Sequence, residues 1–188
     1  GGLYKKYNVF PDMAMFGKTL GNGYAITAVV GKREVMEAVQ KTFISSTFWT
    51  ERIGPSAALA TLNEMEKIKS WEVITDIGKE VKNIWRRLSN SHNVPIKVTG
   101  LDAMATFSFD NIQNDLFKTY LTQFMLDRGF LATTAFYSCI YHDKKTLNNY
   151  ENALNDVFKN INLNLNQRID LEKSLRGPIC HTSMKRLN

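Results

Sequence analysis

Residues 16–31 read Phe-Gly-Lys-Thr-Leu-Gly-Asn-Gly-Tyr-Ala-Ile-Thr-Ala-Val-Val-Gly, a lysine set against a glycine-rich turn and followed by an apolar run. A lysine beside glycines suggests a phosphate nearby. One reading is a phosphate cradle of the form G-x-x-x-x-G-K-[ST], in which bare backbone amides surround the anion. The position that must then be the first glycine is Asp12, an acid that would face the phosphate, and the other glycines follow the lysine. Spacing therefore excludes the cradle. A second reading is a lysine that condenses with a carbonyl. Such an amine needs a rigid seat and a lowered proton affinity, and a strand end followed by a glycine turn supplies the seat.

Working outward, residues 9–16 read as a short strand entry and Ala25–Val30 as a second, buried strand closed by Gly31. Arg33–Gln40 has helical spacing. A polar loop through Ser46, Trp49 and Arg52 leads to Gly54-Pro55, and Pro55 is expected as the first residue of a helix ending near Ile68. Beyond Trp71 the periodicity changes. Ile74, Ile77, Val81, Ile84, Trp85 and Leu88 form one helical face, with Trp71 and Trp85 expected in the core. Ile96–Thr99 and Ala103–Phe109 read as strands, the second with Ala105, Phe107 and Phe109 on one side. Leu116–Met125 reads as a helix stopped by Gly129, Phe130–Ile140 as strand-like, and Leu147–Ile161 as a final helix. The expected fold class is α/β, organised as residues 1–69, part of a larger domain; residues 70–166, a small α+β domain; and residues 167–188, a basic tail.

The motif Pro11-Asp12 through Gly17-Lys18, followed by Gly21-Asn22-Gly23 and Ala28–Gly31, resembles a signature of the class III pyridoxal-phosphate aminotransferases. The nearest branch is that of the glutamate-1-semialdehyde 2,1-aminomutases. The family pattern runs roughly P-D-x-x-x-x-G-K-x-x-G-G-G-x-P-x-G-A-x-x-G. Asn22 and Thr27 depart from its glycines and Ala25 from its proline. Phe124–Gly129 and Tyr141-His142-Asp143 continue the likeness. The resemblance implies the end of the large domain and the small domain of a fold-type I transferase, with pyridoxal 5'-phosphate as cofactor and Lys18 carrying the internal aldimine. It also implies a homodimer with a shared active site, acting on a small amino or keto compound.

In that family a threonine five residues before a proline binds the cofactor phosphate from the partner subunit. Thr50 has this spacing from Pro55, and Thr47 competes if an insertion follows it. The helix beginning at Pro55 would add its free amides and dipole to the phosphate site. Arg52 is a candidate for a substrate carboxylate, with a solvent-facing role as the simpler reading. The acid that pairs with the cofactor's ring nitrogen belongs to a stretch that would precede Gly1, and Asp12 is not given that role. The chain is therefore expected to be a C-terminal portion, inactive by itself.

Composition is that of an ordinary folded protein: 188 residues, 44% hydrophobic and 22% charged, with a formal net charge of +6. The 24 basic residues interleave with 18 acids and form no long run, so a solvated surface is favoured over a nucleic-acid face. The rival function is nonetheless a non-catalytic domain that binds nucleic acid or an acidic partner. No apolar run approaches the roughly 18 residues of a membrane span. The two cysteines, Cys139 and Cys180, have no metal-ligand spacing, which points to the cytoplasm and to no metal site. His142 and the pair Cys180-His181 read as packing or loop residues.

Overall fold

A computed structural model describes residues 2–44 and 46–181. They form two compact units that divide between Lys69 and Ser70.

In the first unit β1 (Met13–Phe16) pairs antiparallel with β2 (Ala28–Gly31), Met13 opposite Gly31 and Phe16 opposite Ala28. Both strands are shorter than their apolar runs. Pro11 has no amide to donate, and Ala25–Thr27 remain outside the ladder, so pairing is confined to four residues on each strand. The helix expected over 33–40 is one short turn, α1 (Arg33–Met36), which tightens into a 3-10 turn at Glu37–Lys41. Next comes α2 (Ile53–Ile68), in which Pro55 is the third residue rather than the first. Proline is tolerated there because amides of the first helical turn have no carbonyl to reach. Gly54 is buried, and a Cβ on it would lie 2.7 Å from the Ala25 carbonyl oxygen. That contact seats α2 on the segment following the glycine turn.

Few side chains in this unit leave water. Among its described residues only Gly21, Gly54 and Ala58 are buried, while Phe10, Met15 and Phe43 are more than four-fifths exposed.

The second unit runs α3 (Ser70–His92), β3 (Ile96–Leu101), β4 (Met104–Phe109), α4 (Asn114–Asp127), β5 (Ala135–Tyr137) and α5 (Lys144–Leu165). Its antiparallel sheet has the order β3-β4-β5. Ala105, Phe107 and Phe109 enter one core with Val81, Ile84 and Trp85 of α3, Phe117 and Leu121 of α4, and Leu154, Val157 and Phe158 of α5. The period-2 pattern of β4 and the stripe on α3 account for this directly. Trp71, expected in that core, is 46% exposed at the first turn of α3. β5 is far shorter than the apolar run 130–140, because only Ala135–Tyr137 find partners, on Met104–Thr106. α5 begins at Lys144, one turn earlier than expected, where the Asp143 carboxylate accepts the Thr146 amide at 2.7 Å.

Two buried polar contacts fix this unit. Trp85 Nε1 donates to the Tyr150 hydroxyl at 3.0 Å, and burial pushes the proton affinity of that phenol well above its ordinary range. Lys82 donates to the Asp102 carboxylate at 2.9 Å and to the Gly100 carbonyl at 2.8 Å, pinning the β3–β4 turn on α3. Gly78 permits that approach, since a Cβ would stand 1.5 Å from the Asp102 carbonyl oxygen.

The segment after α5 lies along α4. Leu171 is buried, the Arg176 amide donates to Gln123 Oε1 at 2.7 Å, and the Cys180 amide donates to Thr119 Oγ1 at 2.9 Å. The basic tail expected over 167–188 thus has a docked portion, and residues 182–188 lie outside the described residues. Among the described residues no helix is long and apolar enough to cross a membrane.

Candidate functional site

Lys18 follows directly on the end of β1 and Gly17. Gly17 is extended, and Lys18 turns into the left-handed region with φ 49°. Lysine is uncommon there, since its Cβ crowds the backbone. The turn continues through Asn22 at φ 46° and Gly23 at φ 107°. Asn22 stands where the family pattern has glycine, and asparagine tolerates this conformation better than most side chains. Gly21 cannot be replaced so easily, because a Cβ there would lie 2.1 Å from the Tyr24 carbonyl oxygen.

The turn opens a cavity of about 970 Å³. It is lined by Lys18, the segment Gly23–Thr27 and Val29 together with residues of the following loop, Ile44, Ser46, Phe48, Trp49, Glu51 and Pro55. Lys18 also borders a second recess of about 570 Å³, between Met15–Thr19 and Thr27–Val29. Lys18 Nζ makes no hydrogen bond or ion pair with another described residue. Neither does the Glu51 carboxylate. Ser46 Oγ accepts the Phe48 amide at 3.2 Å, which shapes the loop and leaves the hydroxyl proton free to donate.

Thr47 and Thr50 are exposed, and neither lines the Lys18 cavity. The structure thus brings Lys18 together with their loop but not with the two threonines themselves. Arg52 is exposed and borders a neighbouring recess of about 500 Å³ with Tyr24, Ile53, Ser56 and Ala57, not the cavity of Lys18. Asp12 is at the opposite end of β1, paired with Lys32 Nζ at 2.7 Å, and the Lys32 ammonium holds its carboxyl below the ordinary range. Sequence reasoning missed Tyr24, Ser46 and Glu51 as cavity residues. The consecutive aromatics Phe48-Trp49 in a polar loop were the available signal.

His142 serves a turn. Its Nδ1 accepts the Cys139 amide at 3.0 Å, its ring packs 4.8 Å from that of Phe136, and burial lowers its pKa below the ordinary imidazole value. Among the described residues no group of three His, Cys, Asp or Glu could hold a metal.

The aminotransferase class-III family matches residues 3–143. The chain is 34% identical over 125 residues to 3-aminobutyryl-CoA aminotransferase of Cloacimonas acidaminovorans, covering 66% of this chain and 30% of that protein. It is 26% identical over 179 residues to glutamate-1-semialdehyde 2,1-aminomutase of Methanocaldococcus jannaschii, covering 86% and 42%. Its fold is similar to that of the FumI protein of Sphingopyxis sp. MTA144, solved in its PLP internal aldimine form. The TM-score there is 0.78 at 20% identity, over 91% of this chain and 42% of the other. The chain thus spans less than half the length of these relatives, and the fold is that of the pyridoxal-phosphate transaminases. The cofactor that goes with this family is pyridoxal phosphate. On its sequence match and its fold, the chain belongs to the class III aminotransferases.

Proposed function

We propose that the protein is a pyridoxal-phosphate-dependent transaminase or aminomutase in which Lys18 is the reactive amine. The observation that carries this reading is the placement of Lys18. Its amine has no partner among the described residues, its backbone is fixed in a left-handed turn at a strand end, and it borders a cavity of about 970 Å³. These features fit the cofactor. An unpaired amine is free to condense with an aldehyde, and the bare backbone of Gly23, which borders the cavity, lets a flat ring approach. When bound, the cofactor supplies an electron sink for the bond broken at the substrate carbon.

Lys18 Nζ would hold the cofactor aldehyde, release it to the substrate amine, and then take and return the proton on the carbon bearing nitrogen. Thr50, with Thr47 as the alternative, is proposed to bind the cofactor phosphate in the site of a second subunit of a homodimer. Its exposure and its place just before α2, whose first-turn amides favour an anion, support that role. Asp12 is tied to Lys32, so the acid that faces the ring nitrogen is proposed to come from sequence beyond this chain. Residues 1–188 alone should therefore show no turnover of an amino-acid semialdehyde, and measurable turnover would refute that expectation. The free thiols of Cys139 and Cys180 accord with a cytoplasmic setting.

The test of the central assignment is chemical. Pyridoxal phosphate is added to the active protein, the adduct is fixed with borohydride, and the labelled peptide is mapped. Label on Lys18 is expected, with Lys18→Ala lowering turnover at least about a hundredfold. Label on a different lysine in active protein would exclude the assignment.

A further inference from the structure

Another cavity, of about 430 Å³, lies wholly within the second unit, lined by the chain that follows α4, by β5 and by the first turns of α5. That volume is typical of a small-molecule site. Its aromatic residues form a run of tilted rings. Phe130 and Tyr150 stand 6.0 Å apart at 65°, Tyr150 and Phe136 5.7 Å at 55°, and Phe136 and His142 4.8 Å at 48°. Rings set at such angles offer both faces and edges to a further flat ring. Tyr137, which also borders the cavity, is 70% exposed.

No Lys, Arg, Asp or Glu lines this cavity. A charged ligand would leave water there without a counter-ion, which is costly. The polar groups it does present are donors that lack an acceptor. His142 Nδ1 accepts the Cys139 amide at 3.0 Å, so the neutral ring carries its proton on Nε2. That N–H meets no acceptor among the described residues. Tyr150 is 4% exposed, and its oxygen accepts Trp85 Nε1 at 3.0 Å. Its own proton likewise meets no acceptor among the described residues. The Thr146 side chain is engaged with Asp143. A buried donor left unmet lowers stability, and a ligand that brings an acceptor recovers the loss.

We propose that this cavity binds a neutral, flat compound of one or two rings bearing a carbonyl, whose oxygen serves the unmet protons of His142 and Tyr150. The rings hold its body, the two donors select its oxygen, and the lack of charge on the lining excludes acids and amines. The site does not involve Lys18.

The test uses the protein expressed from its full coding sequence and loaded with pyridoxal phosphate. Calorimetry compares 1-indanone with indane, which lacks the carbonyl, and with indane-2-carboxylate. The ketone should bind at least about tenfold more tightly than either. Ala132→Phe, which fills the cavity, should abolish its binding, and the smaller Ala132→Leu should weaken it, with the urea midpoint of each variant checking the fold. Tyr150→Phe keeps the ring and drops the proton, and His142→Asn keeps an acceptor near the Cys139 amide and withdraws Nε2. Both should bring the ketone closer to indane. In Lys18→Ala its affinity should be unchanged, since a ketone captured by that amine would lose it there. The proposal is overturned by absent ketone binding, as when further chain fills the cavity, or by indane or the carboxylate binding as tightly. It is overturned equally by a preference that survives both donor substitutions, by binding unaltered in folded Ala132→Phe and Ala132→Leu, or by binding lost in Lys18→Ala.

Discussion

A lysine held at φ 49° is less stable than one in the right-handed region by about 1 kcal/mol, and the cost persists only where the surroundings impose the turn. At Lys18 they do so from both sides, with the β1–β2 ladder before the turn and Gly21 packed against the Tyr24 carbonyl after it. The amine is thereby fixed at its root while its tip is unpaired. His142 shows the opposite economy, with a ring held by its own turn. Nδ1 already accepts the Cys139 amide, so a proton there would set two donors against each other, and burial opposes the charge as well. The folded pKa lies below the unfolded one. Its contribution to stability is therefore present above about pH 6.5 and is lost as pH falls below that. Urea midpoints of wild type and His142→Gln, compared between about pH 7 and about pH 5, should show wild type losing more. Parallel profiles would reject this account.

Among the elements, α3 and the β3–β4 turn depend on one missing side chain. A Cβ at Gly78 would meet the Asp102 backbone at 1.5 Å, and backbone cannot swing aside as a flexible side chain can. Gly78→Ala should destabilise the second unit by on the order of 3 kcal/mol, outweighing the roughly 1 kcal/mol gained from helix propensity. A urea midpoint unchanged by the substitution would contradict the packing. The elements also separate what a sequence reveals from what it does not. The alternation of Ala105, Phe107 and Phe109 and the stripe from Ile77 to Leu88 were legible, because each buries one regular face. The extent of β5 was not, since an apolar run records burial and not the number of ladder partners available. The start of α2 was misread by two residues because proline fits any position of the first turn. At the candidate site, the turn that carries Lys18 was legible from its glycines, but the place of Glu51 and Trp49 beside the cavity was not. A cavity wall made by a loop has no period to betray it.

Over the whole molecule the two units differ in how they could be stable. The second has a continuous core with Trp85, Phe117 and Phe158 fully out of water. The first buries two glycines and an alanine among its described residues, far less apolar surface than the conformational entropy of so many ordered residues requires. Residues 70–181 expressed alone should unfold cooperatively in urea with a retained near-ultraviolet dichroism signal, and residues 1–69 alone should show no transition. A cooperative transition in the latter would refute the inference. The exposed Phe10, Met15 and Phe43 mark the surface that further chain or a second subunit would have to cover.

The contact between the last described segment and α4 also bears on the order in which the protein is made. Residues 114–127 leave the ribosome well before Leu171, Arg176 and Cys180 have been joined to the chain. The outer face of that helix therefore waits, unfinished, until those residues have emerged. A nascent chain that pauses before Leu171 offers the same face to chaperones.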